Sequence, residues 1–77
     1  MPNHIATLNA YALKTGGFRG VFFIRDTKTR HASEVCETME QAKYWAKVQA
    51  HEAYDAVGYS LAPIRKSGEY LANVWVA

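Results

Sequence analysis

Residues 18–25 read Phe-Arg-Gly-Val-Phe-Phe-Ile-Arg, and this segment is the clearest strand pattern in the chain. It is rich in aromatic and β-branched residues, which is typical of a β-strand. Successive side chains of a strand point to opposite faces of the sheet. One face carries Phe18, Phe22 and Ile24, and the other carries Arg19, Val21, Phe23 and Arg25. The first face predicts a core contact, and the mixed apolar and basic second face suits a contact surface.

Four more segments show weaker strand patterns on either side of this one. The predicted strands cover residues 5–14, 30–37, 59–64 and 69–76. Turn residues separate them, including Gly16-Gly17 and the polar run 26–29. Pro63 cannot donate a backbone hydrogen bond, so the fourth strand is predicted to be an edge strand or to end there.

A helix is predicted over residues 38–57. Thr38 and Gln41 have the spacing of a capping box, in which each side chain accepts a hydrogen bond from the other residue's backbone. The predicted apolar arc of the helix contains Met39, Ala42, Trp45, Ala46, Ala50, Ala53, Ala56 and Val57. Because most of this arc is alanine, we expect the helix to lie close to the sheet, with Trp45 as its main bulky side chain.

The order βββαββ predicts an α+β fold, with one helix packed on one face of an antiparallel sheet. A chain of 77 residues forms a single domain, residues 1–77. One helix shields only one face of such a sheet. We therefore expect the other face to be a contact surface.

Composition restricts the class of protein. Hydrophobic residues make up 49% and charged residues 21%, which are ordinary globular values. No apolar run approaches the roughly 20 residues of a membrane span, and residues 1–4 do not resemble a signal peptide. Cys36 is the single cysteine, which fits a reducing, cytoplasmic location. The formal net charge of +2 is uneven, because the predicted strands are basic and the helix is acidic.

No catalytic or metal-binding pattern emerges from the sequence. The three histidines, His4, His31 and His51, have no partner at a metal-ligand spacing. Glu34 and Glu37 point to opposite faces if the third strand continues through them. We expect a non-enzymatic protein without cofactor or metal.

Two sets of residues are candidate contact sites. The first is a basic and aromatic set: Arg19, Phe23, Arg25, Lys28 and Arg30. Basic side chains on a sheet can hold phosphates, while aromatic rings stack bases or fill a protein pocket. The alternative is a solvated outer face in which the C-terminal hairpin covers Val21 and Phe23. The second set lies on the outer helix surface: Glu40, Tyr44, Val48, Glu52 and Asp55.

Residues 17–55 resemble the three-stranded sheet and helix of AP2/integrase amino-terminal domains. The matching pieces are Phe18-Arg19-Gly20-Val21, Ile24-Arg25-Asp26 and Thr38-Met39-Glu40-Gln41-Ala42. In that family the outer face of the sheet lies in the DNA major groove. The resemblance therefore implies DNA contacts by Arg19 and Arg25.

In size and build the whole chain is also similar to the small inhibitors made by phages and mobile elements, of which anti-CRISPR proteins are the best-known group. This resemblance implies binding to a host protein or nucleoprotein complex. We therefore expect a protein-binding module, with nucleic-acid binding through the basic and aromatic set as the alternative. A homodimer built by pairing sheet edges or faces is compatible with either function.

Overall fold

The structure, a computed structural model, describes residues 3–66 and 68–76. Its elements are β1 (Asn3–Ala12), β2 (Phe18–Ile24), β3 (Thr29–Ala32), α1 (Met39–Tyr54), a 3-10 turn (Asp55–Val57), β4 (Tyr59–Lys66) and β5 (Glu69–Val76). Within these residues the order βββαββ and the α+β class are confirmed. The predicted single helix over residues 38–57 divides into α1 and the 3-10 turn.

The strands form one antiparallel sheet in the order β3-β2-β1-β5-β4. The C-terminal hairpin therefore extends the sheet beside β1. It does not fold over β2, so the alternative in which this hairpin covers Val21 and Phe23 is wrong. Strand β4 lies at an edge, as Pro63 predicted, although it continues past Pro63 to Lys66.

The core lies between α1 and one face of the sheet. Three fully buried alanines of the helix, Ala42, Ala46 and Ala50, face the sheet. From the sheet, Leu8 and Phe22 belong to the same buried cluster as Ala46 and Ala50. The predicted close approach of an alanine-rich helix is thus confirmed. Because an alanine side chain is a single methyl group, the helix backbone can approach the strands.

Other parts of the predicted apolar arc are less buried than expected. Trp45 is half-buried and packs against the margin of the core. Val57 at the far end is 69% exposed, because the 3-10 turn has already left the sheet.

The predicted capping box is present at the start of the helix. Gln41 N–H donates to Thr38 Oγ1 at 3.2 Å, and Thr38 N–H donates to Gln41 Oε1 at 3.3 Å.

The backbone of α1 approaches the sheet closely at Gly20. A Cβ atom placed on it would overlap the carbonyl oxygen of Ala42 and lie 3.1 Å from Cε3 of Trp45. Any side chain at this position would push the helix away from β2. A glycine in the middle of the strand therefore sets the spacing between the two layers.

The third strand is shorter than predicted, because it ends at Ala32 and not at residue 37. The backbone N–H of Gly20 donates to the Ser33 hydroxyl at 2.9 Å. A side chain thus replaces the main-chain acceptor of the ladder, and regular pairing stops. Pairing resumes at one isolated bridge between Phe18 and Cys36.

Candidate functional site

The sheet face that points away from α1 is uncovered by the helix, and we call it the open face. Leu8, Phe22 and Val74 point into the core, so the residues next to them in each strand point the other way. The open face includes Thr7, Asn9 and Tyr11 of β1; Arg19, Val21 and Phe23 of β2; Arg30 and Ala32 of β3; and Leu71, Asn73 and Trp75 of β5.

The structure brings three of the five predicted basic and aromatic residues together on this face. Phe23 and Arg30 are direct partners across β2 and β3, and Arg19 lies on the same side of β2. Arg25 follows the end of β2. Lys28 is exposed in the β2–β3 turn, where its φ of 54° is in the left-handed region. The set therefore forms a patch with Lys28 at its margin.

A hydrogen bond between Arg30 and Tyr11 crosses β2. Arg30 Nη2 donates to the Tyr11 hydroxyl at 3.3 Å. Arg30 is registered with Phe23 on one side of β2, and Tyr11 is registered with Arg19 on the other. The connection therefore passes over Val21, which lies between them. This explains why Val21 is only 6% exposed on a face that no helix covers.

A second group of contacts fixes Arg25. Its Nη1 lies 2.8 Å from His4 Nδ1 and 3.3 Å from the His4 carbonyl oxygen. Because a guanidinium can only donate, His4 Nδ1 must accept, and the imidazole proton is assigned to Nε2. That nitrogen then donates to Thr7 Oγ1 at 3.3 Å. The His4 ring also lies 5.2 Å from the Trp75 ring, so four side chains are held in one arrangement.

Two buried polar atoms on the open face have no hydrogen-bond partner among the described residues. They are Arg19 Nε and Asn9 Oδ1. Asn9 is registered with Val21, and Arg19 is registered with Tyr11 two residues further along β1. A donor and an acceptor thus remain unused close to the centre of this face.

Among the residues that the structure describes, no carboxylate forms an ion pair with the arginines of this face. Among the described residues, Lys43 forms an ion pair with Glu40, and His51 lies 3.6 Å from Asp55, a contact that is an ion pair only when the imidazole is protonated. Arg19, Arg25 and Arg30 form none. Glu69 is the carboxylate registered opposite Tyr11, at the far end of β5. The half of the face made by β2 and β3 is therefore available to an anionic group.

Sequence reasoning missed three contributors to this face: Tyr11, Trp75 and His4. Alternation along β1 and β5 could have placed Tyr11 and Trp75 opposite their buried neighbours. It could not show that β1 and β5 are adjacent, since that depends on long-range pairing. His4 has no local signal, because its role comes from contacts with Arg25 and Trp75.

The second predicted set lies on the outer surface of α1 and its C-terminal end. Tyr44 is 71% exposed, and Val48 one turn later is half-buried. Two of the predicted charges have partners on the helix itself. Glu40 is 3.6 Å from Lys43, and Asp55 is 3.6 Å from His51. The side chains of Glu40 and Asp55 are 84% and 67% exposed, so both carboxylates remain accessible to solvent.

Between the helix and β5, two lysines lie over an aromatic ring. Lys43 Nζ and Lys47 Nζ are 5.1 and 5.4 Å from the centre of the Tyr70 ring. Burial raises the pKa of Tyr70, so its phenol stays neutral at ordinary pH. The lysine charges near α1 are thus directed toward the sheet, which leaves acidic groups prominent on the outer helix surface.

In one form the predicted homodimer would pair the edge strands of two copies, so the two sheet edges determine how suitable that form is. Strand β3 offers an edge of four residues, and β4 offers one of eight. Pro63 lies inside β4, registered with Ala72, and has no N–H to give to another chain. A proline in an edge strand interrupts pairing with a further strand. Dimerisation remains a prediction, and the β4 edge is poorly suited to it.

In the described ranges, no group of three or more His, Cys, Asp or Glu residues is placed to hold a metal ion. Among the same residues no helix has the length and apolar character needed to cross a membrane. No protein-family model matches the chain, and neither a curated protein nor a solved structure matches it. Functional proposals therefore depend on the geometry of the surfaces.

Proposed function

We propose that this chain is a non-enzymatic binding domain whose open face docks onto a host protein or nucleoprotein complex and blocks its action. This mode of action is similar to that of phage-encoded inhibitors of the anti-CRISPR type. The observation that carries the proposal is the uncovered sheet face, on which Arg30 contacts Tyr11, and Arg25 contacts His4, whose ring lies beside Trp75.

The composition of the open face supports a protein partner. Trp, Tyr and Arg are the residues most enriched among those that dominate binding energy at protein interfaces. Each side chain that is already fixed before binding saves an ordering cost of about 0.5–1.5 kcal/mol. Arg30 and Arg25 are fixed in this way by Tyr11 and His4. The open face is thus organised before any partner arrives.

The test is retention of a partner from nuclease-treated bacterial lysate by the tagged chain, with identification by mass spectrometry. The open-face variant combines Phe23→Ala with Arg30→Glu. A matched control combines Tyr44→Ala with Lys14→Glu, which removes an aromatic ring and reverses one charge away from the open face.

We expect the wild-type chain and the control to retain the same defined complex, and the open-face variant to lose it. Circular dichroism must first show that both variants are folded. Equal retention by the open-face variant would place the contact elsewhere. Loss with the control alone would move it to the outer helix surface around Tyr44.

A second candidate function is nucleic-acid binding by the same face. The observation that favours it is the placement of three aromatic residues, Tyr11, Phe23 and Trp75, near arginines for which the described part of the chain supplies no carboxylate partner. Aromatic side chains on a sheet stack single-stranded bases, while arginines hold the phosphates. The AP2-type resemblance instead implies duplex DNA and Arg19 with Arg25.

Salt dependence separates these candidates. If three arginines neutralise three phosphates of a single strand, log K falls with log salt at a slope of roughly −2. Fluorescence anisotropy with a labelled oligothymidylate, an oligouridylate and a duplex measures this slope. Binding to none of the three probes, or affinity that stays constant with salt, would reject nucleic-acid binding.

A further inference from the structure

A cavity of ≈ 610 Å³ lies where β3 ends and α1 begins, away from the centre of the open face. Ligand sites in proteins have volumes of roughly 300–1,000 Å³, so this one is large enough for a long side chain. The segment 32–37 forms one wall, and the ring of Trp45 forms part of another.

The loop wall is tied to β2 by several hydrogen bonds. Ser33 N–H donates to the Gly20 carbonyl at 2.8 Å, and its hydroxyl accepts from Gly20 N–H. Further along, Phe18 and Cys36 exchange two backbone hydrogen bonds of 2.7 and 2.9 Å. Ser33 itself is only 7% exposed. The loop is therefore a fixed part of the fold, and the cavity exists before any ligand binds.

The charge of the cavity comes from two carboxylates. Glu34 and Glu37 both line it and are exposed, and neither forms an ion pair with a described residue. The capping box occupies three amide groups near the cavity: Glu37 N–H and Thr38 N–H donate to Gln41 Oε1 at 2.8 and 3.3 Å, and Gln41 N–H donates to Thr38 Oγ1 at 3.2 Å. The cavity is thus electrostatically suited to a cation.

The remaining surfaces of the cavity are apolar and aromatic. Val35 is 57% exposed, which is unusual for a valine in a loop that is otherwise held to the sheet. The half-buried ring of Trp45 offers an indole, the best aromatic surface for a cation. A carboxylate pair, an indole and an aliphatic wall together match a guanidinium on a methylene stem.

We propose that this cavity receives an arginine side chain from a protein partner. The guanidinium pairs with Glu34 and Glu37, its plane lies against Trp45, and its methylene groups contact Val35. The site is opposite in charge to the open face and gives the chain a second contact point. It is independent of which ligand the open face binds.

The probe is the capped tripeptide acetyl-Ala-Arg-Ala-amide, titrated into the ¹⁵N-labelled chain and followed by the indole N–H signals. A Trp75→Phe variant assigns the signal of Trp45. We expect the Trp45 signal to shift saturably, and the same peptide with citrulline, which is uncharged and of equal shape, to bind about tenfold more weakly.

Two charge-matched double variants complete the test. Glu34→Gln with Glu37→Gln should weaken the arginine peptide about tenfold, whereas Glu40→Gln with Glu52→Gln on the outer helix should not. Equal weakening by both variants would show a long-range charge effect and overturn the proposal. Equal binding of the citrulline peptide would also overturn it, and a lysine peptide that binds as tightly would reject the preference for arginine. The open-face variant should keep this binding, so failure here is distinguishable from failure of the proposed function.

Discussion

Replacing Gly20 tests the packing of α1 on the sheet most directly. The Cβ of alanine at this position would overlap the Ala42 carbonyl oxygen, which belongs to the helix backbone and cannot rotate away. Overfilling a packed core costs about 1–3 kcal/mol. Alanine also has fewer conformations than glycine in the unfolded chain, which stabilises the folded state by about 0.4–1 kcal/mol. We therefore expect Gly20→Ala to lower the free energy of unfolding by about 1–2 kcal/mol, a fall in Tm of roughly 4–16 °C.

A size series separates this packing effect from strand propensity. Valine favours strands more than alanine does, so propensity alone would make Gly20→Val the more stable of the two variants. Contact with the helix predicts the opposite order, because valine adds two methyl groups toward Ala42 and Trp45. Thermal and urea unfolding followed by circular dichroism measure both variants. A Gly20→Val chain that is as stable as wild type would refute the close approach of α1.

Three further substitutions test the helix and the core. Thr38→Ala should lower stability by about 1 kcal/mol through loss of the capping box, and Thr38→Ser should retain most of it; equal losses in the urea midpoint would contradict this role. Leu8→Ala removes a fully buried side chain and should cost about 2–5 kcal/mol, against little for Ile64→Ala at a position 41% exposed. Trp45→Ala should cost less than the roughly 3–5 kcal/mol of a buried tryptophan, because half-burial reduces the area lost; an unchanged melting temperature would mean that the ring does not pack on Gly20.

Local patterns predicted the elements of this fold well. The alternation in residues 18–25 correctly separated Phe22, which is in the core, from Arg19 and Phe23, which are on the open face. The capping pair and the run of alanines predicted α1 and the way it packs. These signals are reliable because strand alternation, capping and helix periodicity involve residues close together in the chain.

The errors arose where distant residues compete for the same hydrogen bonds. The third strand was predicted to reach residue 37, but the Ser33 hydroxyl takes the N–H of Gly20 and ends the ladder early. Tyr11, Trp75 and His4 were absent from the predicted site for the same reason. The contact of Arg30 with Tyr11 joins residues 19 positions apart, and no pattern in either strand predicts it.

Local patterns in the chain indicate most of the strand and helix residues, and that a single helix leaves one sheet face uncovered. Which side chains meet on that face depends on the order and register of the strands. Placing β5 beside β1 keeps the hairpin off β2, brings Trp75 next to His4, and leaves the arginines of β2 and β3 uncovered by the hairpin. The reason is physical: a side chain's face is fixed by its own backbone, whereas its neighbours are fixed by strand order and register, which depend on the packing of the whole chain.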